Sequence, residues 1–457
     1  MSVKSSYIRL VTFFLLNVTI MTSCRKFLDA KPDIALVVPS KISDLQALLD
    51  DNSNIFNLQY GAYGEGSADN YYCPYTLLSG LNEANRNLYT WGEELVFEST
   101  PNGWDQAYKG IMRANIALEE IEKIAYDQNT RQTWDNVKGT ALFFRAFTHW
   151  RILVNFAVAY DEQTALKDPG IPLRLNGNFN ETSVRSSVQA CYNRIIEDLR
   201  SSIPLLPALP QHVLRPAKAA AYAALARTYL SMRRYEEAAK YADSSLQLQY
   251  TLMDYSKLNG NSPYPVPQFN EEVVYQVRMG MPALINNTNG RIDTMLYASY
   301  HEHDLRKQLY FARNSDGTYG FRGGYYAGGG MFTGIAVDEM YLTRAECYAR
   351  SGRVDLAMSD LNTLMVKRWK QEEWHPLEAG SSKEAVDMIL TERRKELLFR
   401  DLRWMDIKRL NKEREHQISL RRDLNGTIIT LPPNDPRYAL PFPRDVIRIS
   451  GMPQNAR

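Results

Sequence analysis

Two widely separated stretches share one residue spacing, and that spacing constrains the fold of this chain more than any other feature. LARTYLSMRRYEEAAKYADSSL runs from Leu225 to Leu246, and TRAECYARSGRVDLAMSDLNTL from Thr343 to Leu364. Aligned on Ala226 and Ala345, both place a tyrosine three positions later, at Tyr229 and Tyr348. Both also place an alanine twelve positions later, at Ala238 and Ala357. Small residues at these offsets let two antiparallel helices approach closely, and the aromatic fills the gap between helix pairs; this is the tetratricopeptide pattern. Gly352 and the pair Arg233-Arg234 mark the tight turns within the two units.

Periodicity of 3.6 residues extends the helical reading. Trp104, Tyr108, Ile111, Ala114, Leu118 and Ile121 form one apolar stripe, and Ala141, Phe144, Phe147, Trp150 and Val154 another. Ile389, Arg393, Leu397 and Arg400 belong to a late helix rich in both charges. Between the repeat units the pattern breaks: residues 259–334 contain GNSPYPVPQFN, INNTNGR and GFRGGYYAGGG, the composition of loops with short strands. The expected fold is therefore mainly α, a tetratricopeptide-like scaffold carrying a loop-rich insertion and few short strands. Function belongs on the insertion, because loops on a rigid scaffold are where binding surfaces vary.

The first residues form a targeting segment. Lys4 and Arg9 precede an apolar stretch from Leu10 to Ile20, too short to span a bilayer comfortably, and Thr22 and Ser23 stand directly before Cys24. With Met21 at the first position, this resembles a lipoprotein box, and residues 1–23 are expected to be a signal peptide with Cys24 the lipidated residue. Removal of Lys4 and Arg9 takes the side-chain charge from +2 (54 basic, 52 acidic) to zero. A charge so near zero makes no case for nucleic acid as a partner. The basic run from Arg393 to Arg422 is interspersed with acids, as on a salt-bridged helical face. The three other cysteines, Cys73, Cys191 and Cys347, lack metal-ligand spacing and are expected to be buried thiols.

Several motifs, in order, resemble the SusD/RagB family of outer-membrane nutrient-binding lipoproteins. CRKFLDAKP begins at Cys24, WDQAYKGIMRANIALEEIE at Trp104, and KGTALFFRAFTHWRILVNF is followed by DPGIPL. RPAKAAAYAALARTYL enters the first repeat unit, ILTERRKELLFRDLRWMDIKRL follows the second, and ALPFPRDVIRISGMPQNAR closes the chain. The resemblance covers Cys24 to Arg457. It divides the mature chain into an N-terminal helical region with ligand-site loops, 24–205, and a region holding the repeats and the insertion, 206–457. It implies a lipid-anchored, surface-exposed outer-membrane protein that binds an oligosaccharide or a peptide without altering it. It also implies that the ligand passes to a SusC-like TonB-dependent barrel, against which the helical side docks. The alternative from another class is a tetratricopeptide scaffold lipoprotein with only protein partners.

Sugar recognition needs a flat aromatic face for the C–H side of a ring and planar polar groups for hydroxyls. GEGSADNYYCPY offers Asp69, Asn70, Tyr71 and Tyr72, and NRNLYTWGEE offers Trp91. Asp69 and Trp91 match by position an acid and a tryptophan that contribute to the family's ligand site. The insertion adds Asn287, Asn289, Arg291, Tyr325 and Tyr326, the last two flanked by glycines that offer little steric cover. No catalytic residues, cofactor or metal are expected. The adjacent His301, Glu302 and His303 lack helical spacing and a later partner, and neither a phosphate loop nor a G-x-S-x-G elbow occurs.

Overall fold

Both repeat stretches are antiparallel helix pairs in the computed structural model, which describes residues 39–59, 61–92, 96–97 and 102–457. The chain divides into two units, Met1–Lys41 and Ile42–Arg457, and all contacts given below lie within the second. The leader and Cys24 lie outside the described residues. Among the described residues no helix is long and apolar enough to cross a membrane.

The architecture is mainly α. Its longer helices are α1 (Ile42–Leu49), α2 (Glu83–Thr90), α3 (Gly103–Ile121), α4 (Arg131–Phe156), α5 (Val188–Ser202), α6 (Lys218–Ser231), α7 (Tyr235–Leu246), α8 (Val337–Arg350), α9 (Val354–Met365), α10 (Ser382–Glu396) and α11 (Arg403–Leu410). From α3 to α9 each helix packs on the next, so the chain builds a continuous layer of helical hairpins. Local sequence starts these helices where they begin. Asn102 and Asp105 form a reciprocal capping box at α3, and Ser187 and Ser381 cap α5 and α10. From Val137 onward helix α4 is buried around most of its circumference, packed against α3 and α5.

The repeat geometry follows the spacing. Ala226, Ala238, Ala345 and Ala357 are fully buried where the paired helices approach. Tyr229 lies parallel to Tyr241, with centroids 5.5 Å apart and planes 2° from parallel. The two turns place equivalent residues in the left-handed region, Arg233 at φ 60° and Gly352 at φ 80°. Buried ion pairs tie helices together, α4 to α5 through Arg145 and Asp198 at 2.7 and 2.8 Å, α6 to α8 through Arg227 and Glu339 at 2.8 and 2.5 Å, and α8 to α11 through Glu346 and Arg409 at 2.6 and 2.8 Å. Such pairs fix helix register, because removing one partner strands a charge in the interior. Cys73, Cys191 and Cys347 are buried free thiols.

The insertion is stitched to the N-terminal region by short strands. Arg278–Gly280 lies between Leu58–Gln59, to which it is parallel, and Gly330–Phe332, to which it is antiparallel. Val273–Tyr275 pairs with Ile335–Ala336, and Phe311–Arg313 with Tyr319–Phe321. Arg291–Ile292 pairs with Tyr71–Tyr72, which joins two of the sequence-predicted ligand segments.

Candidate ligand-binding site

The site is built on that last strand pair. Tyr72 stands opposite Arg291, and the Asp293 N–H donates to the Asn70 carbonyl at 3.0 Å, so the two segments run together into the short Thr294–Ala298 helix. Arg291 is the organiser of its loop. Its guanidinium donates to the carbonyls of Asn287 and Gly290 at 3.0 Å each, to that of Thr288 at 3.3 Å, and to the Asp316 carboxylate at 3.0 Å. The Asn287 amide oxygen accepts from the Phe321 N–H at 3.1 Å, which brings the 319–321 strand alongside. A Cβ at 320 would sit 2.4 Å from that amide oxygen, so a larger residue there would displace the Asn287 side chain. Asn289 donates to the Ala283 carbonyl at 2.8 Å and braces the same loop.

The frame supports an aromatic platform. Tyr297 and Tyr319 stack with centroids 3.7 Å apart and planes 15° from parallel, both half-buried. Burial, reinforced by Tyr319, pushes the Tyr297 hydroxyl up to about 12. Met295, 76 % exposed, projects from the same helical turn, and Tyr75 is exposed beside the Tyr71–Tyr72 strand. Tyr72 is half-buried, and burial raises its hydroxyl pKa despite the nearby Arg291. Flat rings, amides and charged groups held on short braced loops form the arrangement that a sugar ring or an extended peptide requires.

The predicted residues divide by exposure. Tyr72, Asn287, Asn289 and Arg291 converge on this corner, although Arg291 is buried and its donors are committed to the loop. Asn70, Tyr71, Trp91 and Tyr325, expected at the ligand site, are buried in the core, and for Tyr325 this corrects the exposure its glycine neighbours suggested. The Trp91 indole, 1 % exposed, donates to the Ser67 carbonyl at 3.0 Å, and its ring lies 5.2 Å from the Arg422 guanidinium. Arg422 comes from the late Leu420–Leu424/Thr427–Leu431 hairpin and also sits 4.1 Å from Tyr89, sealing the loop from within. Tyr71 donates to the Gly66 carbonyl at 2.7 Å, and Asn70 accepts from Arg394 at 3.2 Å. Tyr325 is fully buried despite its glycine neighbours, donating to Glu272 at 2.5 Å, while Tyr326 beside it is half-buried under Arg278.

Asp69 is partly exposed but held by Arg403 at 2.7 and 2.9 Å, with Arg394 at 3.4 Å. Burial opposes its charge, yet these two guanidiniums hold the carboxyl well below the usual carboxylate range. Tyr297 and Tyr319 escaped the sequence reading. Both lie in the polar, tyrosine-rich insertion, the composition that drew attention to Tyr325 and Tyr326.

The other clusters have structural partners. Glu272, Asp338 and Glu396 are the one group among the described residues compact enough for a cation. Arg368 binds both glutamates, at 2.8 and 2.7 Å, and Arg400 binds Asp338 at 2.6 Å, so their charge is already met by protein. His301 stacks on Trp369 at 5.1 Å, and the His303 Nε2 lies 3.7 and 3.8 Å from Glu302 and Glu373.

Comparison with known proteins bears on both halves. A family model described as starch-binding and associating with the outer membrane matches residues 26–230, and the SusD family model matches residues 336–441. No curated protein matches. Among solved structures, a SusD superfamily protein from Bacteroides thetaiotaomicron superposes with TM-score 0.75 at 19% identity, covering 91% of this chain and 100% of that one. A SusD superfamily protein from Bacteroides fragilis gives 0.71 at 19%, with coverages of 91% and 99%. A SusD-like carbohydrate binding protein from Bacteroides vulgatus gives 0.68 at 17%, with coverages of 90% and 97%. At such identities the structural likeness speaks for the fold.

Proposed function

This chain belongs to the SusD/RagB family of carbohydrate-binding, outer-membrane-associated proteins, and from that premise we propose that it captures an oligosaccharide or peptide at the Tyr72–Arg291 corner. The observation that carries this reading is the stacked Tyr297–Tyr319 pair, held beside Tyr72 and Asn287 on loops braced by Arg291. The ligand lies on the tyrosine faces, and its hydroxyls or amides meet Asn287 and the Tyr72 hydroxyl. Binding is non-covalent and the ligand leaves unchanged. It then passes to a SusC-like TonB-dependent barrel, while Cys24 anchors the protein to the outer membrane by its lipid.

Solubilised membranes test both the capture and the hand-over. Affinity purification of the full chain should bring down a TonB-dependent barrel, and the purified protein should bind a glycan or peptide in calorimetry. Recovery of other protein partners, with no barrel and no small ligand, would favour the tetratricopeptide scaffold instead.

A further inference from the structure

A small pocket of about 40 Å³ lies between α3 and α4, away from the residues of the ligand corner. Its walls come from Gly103 and Gln106 on α3, Thr148, Arg151 and Asn155 on α4, and the segment 55–63. A space of this size admits about two or three water-sized groups. Among the described residues Arg151 is the one charged side chain that lines it.

Arg151 differs from the other interior arginines. Arg145, Arg227, Arg368 and Arg409 each bind a carboxylate. The Arg151 guanidinium makes no hydrogen bond or ion pair among the described residues, and its Nε is sealed from solvent with no acceptor. The two Nη nitrogens have no acceptor either, but they are not sealed, so the pocket that Arg151 lines gives access to them. Burial lowers the Arg151 pKa to about 10, and attraction from Asp401 offsets this only in part. The Asp401 carboxylate accepts instead from the Gln59 amide and forms no ion pair with Arg151. Gln106 and Thr148, on the two facing helices, add an amide and a hydroxyl that have no partner among the described residues. The unpaired acceptors on the walls, such as the Gln59 Oε1, are neutral amides and leave the balance of charge positive. A guanidinium removed from bulk water without an acceptor is costly, and an anion that accepts from it relieves that cost.

We infer that this pocket is a binding site for a small anion, chloride or a compact carboxylate such as formate, held by Arg151 with Gln106 and Thr148. The ion neutralises Arg151 and joins α3, α4 and the segment 55–63. Within that segment the Leu58–Gln59 strand pairs with Arg278–Gly280, so the ion also steadies the seat of the insertion. The site shares no residue with the Tyr72–Arg291 corner and stands apart from the capture reading.

Crystals of the full chain soaked in bromide give the direct test, because bromide takes the place of chloride and scatters anomalously. An anomalous peak beside the Arg151 Nη nitrogens is expected, and a pocket that holds only water overturns the site. Thermal melts in gluconate, chloride and formate at equal ionic strength read the same binding in solution. Chloride or formate should raise the melting temperature saturably, by about 1–2 °C over the bulkier gluconate. Whichever raises it more names the anion. Arg151→Gln should abolish the difference. Should that variant not fold, Gln106→Glu keeps the cation and places a carboxylate in the pocket. It should raise the melting temperature in gluconate and remove the gain from chloride or formate. Equal melting of the unaltered chain in all three salts, or a gain that survives Gln106→Glu, overturns the site.

Discussion

Tyr297 and Tyr319 stack face to face with centroids 3.7 Å apart, although one lies on a short helix and the other on a strand that pairs elsewhere. Neither ring fills the centre of the core, and both keep partial exposure. If they form the platform, Tyr297→Ala and Tyr319→Ala should each weaken ligand binding by about 1–3 kcal/mol. Calorimetry with the folded variants checks this. Unchanged affinity in both would place the ligand elsewhere.

Trp91→Ala should behave differently. Its ring is enclosed by Arg422 and its indole N–H is spent on Ser67, so truncation leaves a cavity and takes the shorter of two donors from that carbonyl. The expected result is a loss of about 3–5 kcal/mol in unfolding free energy, read by chemical denaturation. A direct contribution of Trp91 to binding would instead lower affinity in a variant of native stability.

How much of this was legible in the sequence depends on the distance over which each feature is made. The repeat units were legible because their signal is local: Ala226, Tyr229 and Ala238 set helix contacts within a single hairpin, and the same offsets recur at Ala345, Tyr348 and Ala357. The meeting of the 69–72 and 287–291 segments was half-legible, since one is tyrosine-rich and the other asparagine-rich, as binding loops are, but only the strand pairing of Tyr72 with Arg291 joins them. The burial of Trp91 was not legible, because it depends on Arg422, far along the chain. Tyr325 misled for a related reason. Its flanking glycines suggested exposure, whereas Glu272 and Asp338 receive its hydroxyl in the interior. The Asp69 carboxylate was found by position, but its partners Arg394 and Arg403 were visible only in three dimensions.

The repeat turns provide a backbone test. Gly352 has φ 80° with open space where a Cβ would go, so any cost of Gly352→Ala comes from conformation alone. Destabilisation of about 1–2 kcal/mol is expected. A thermal melt that does not move would mean that the turn relaxes to another geometry.

Glu65 gives the molecule a pH signature. Burial, with added repulsion from Asp401, raises its pKa from 4.5 to about 8. The folded state therefore holds this proton over a range in which the unfolded chain has lost it. Stability from this group is present below about pH 4.5 and is lost as the pH rises through about 8. Glu65→Gln, which mimics the protonated form, should raise the melting temperature near pH 9 and leave it little changed near pH 4. A gain of equal size at both values would assign the effect to packing and not to ionisation.

The claim that this chain captures a nutrient without altering it meets its most direct test in one titration followed by recovery of the ligand. Purified full-length protein is titrated with a panel of neutral and acidic oligosaccharides and peptides, and each bound ligand is then released and weighed by mass spectrometry. The account predicts saturable binding of at least one member, lost on Tyr297→Ala, with the ligand recovered at its original mass. Recovery of a cleaved or modified product, or no saturable binding across the panel, would contradict it.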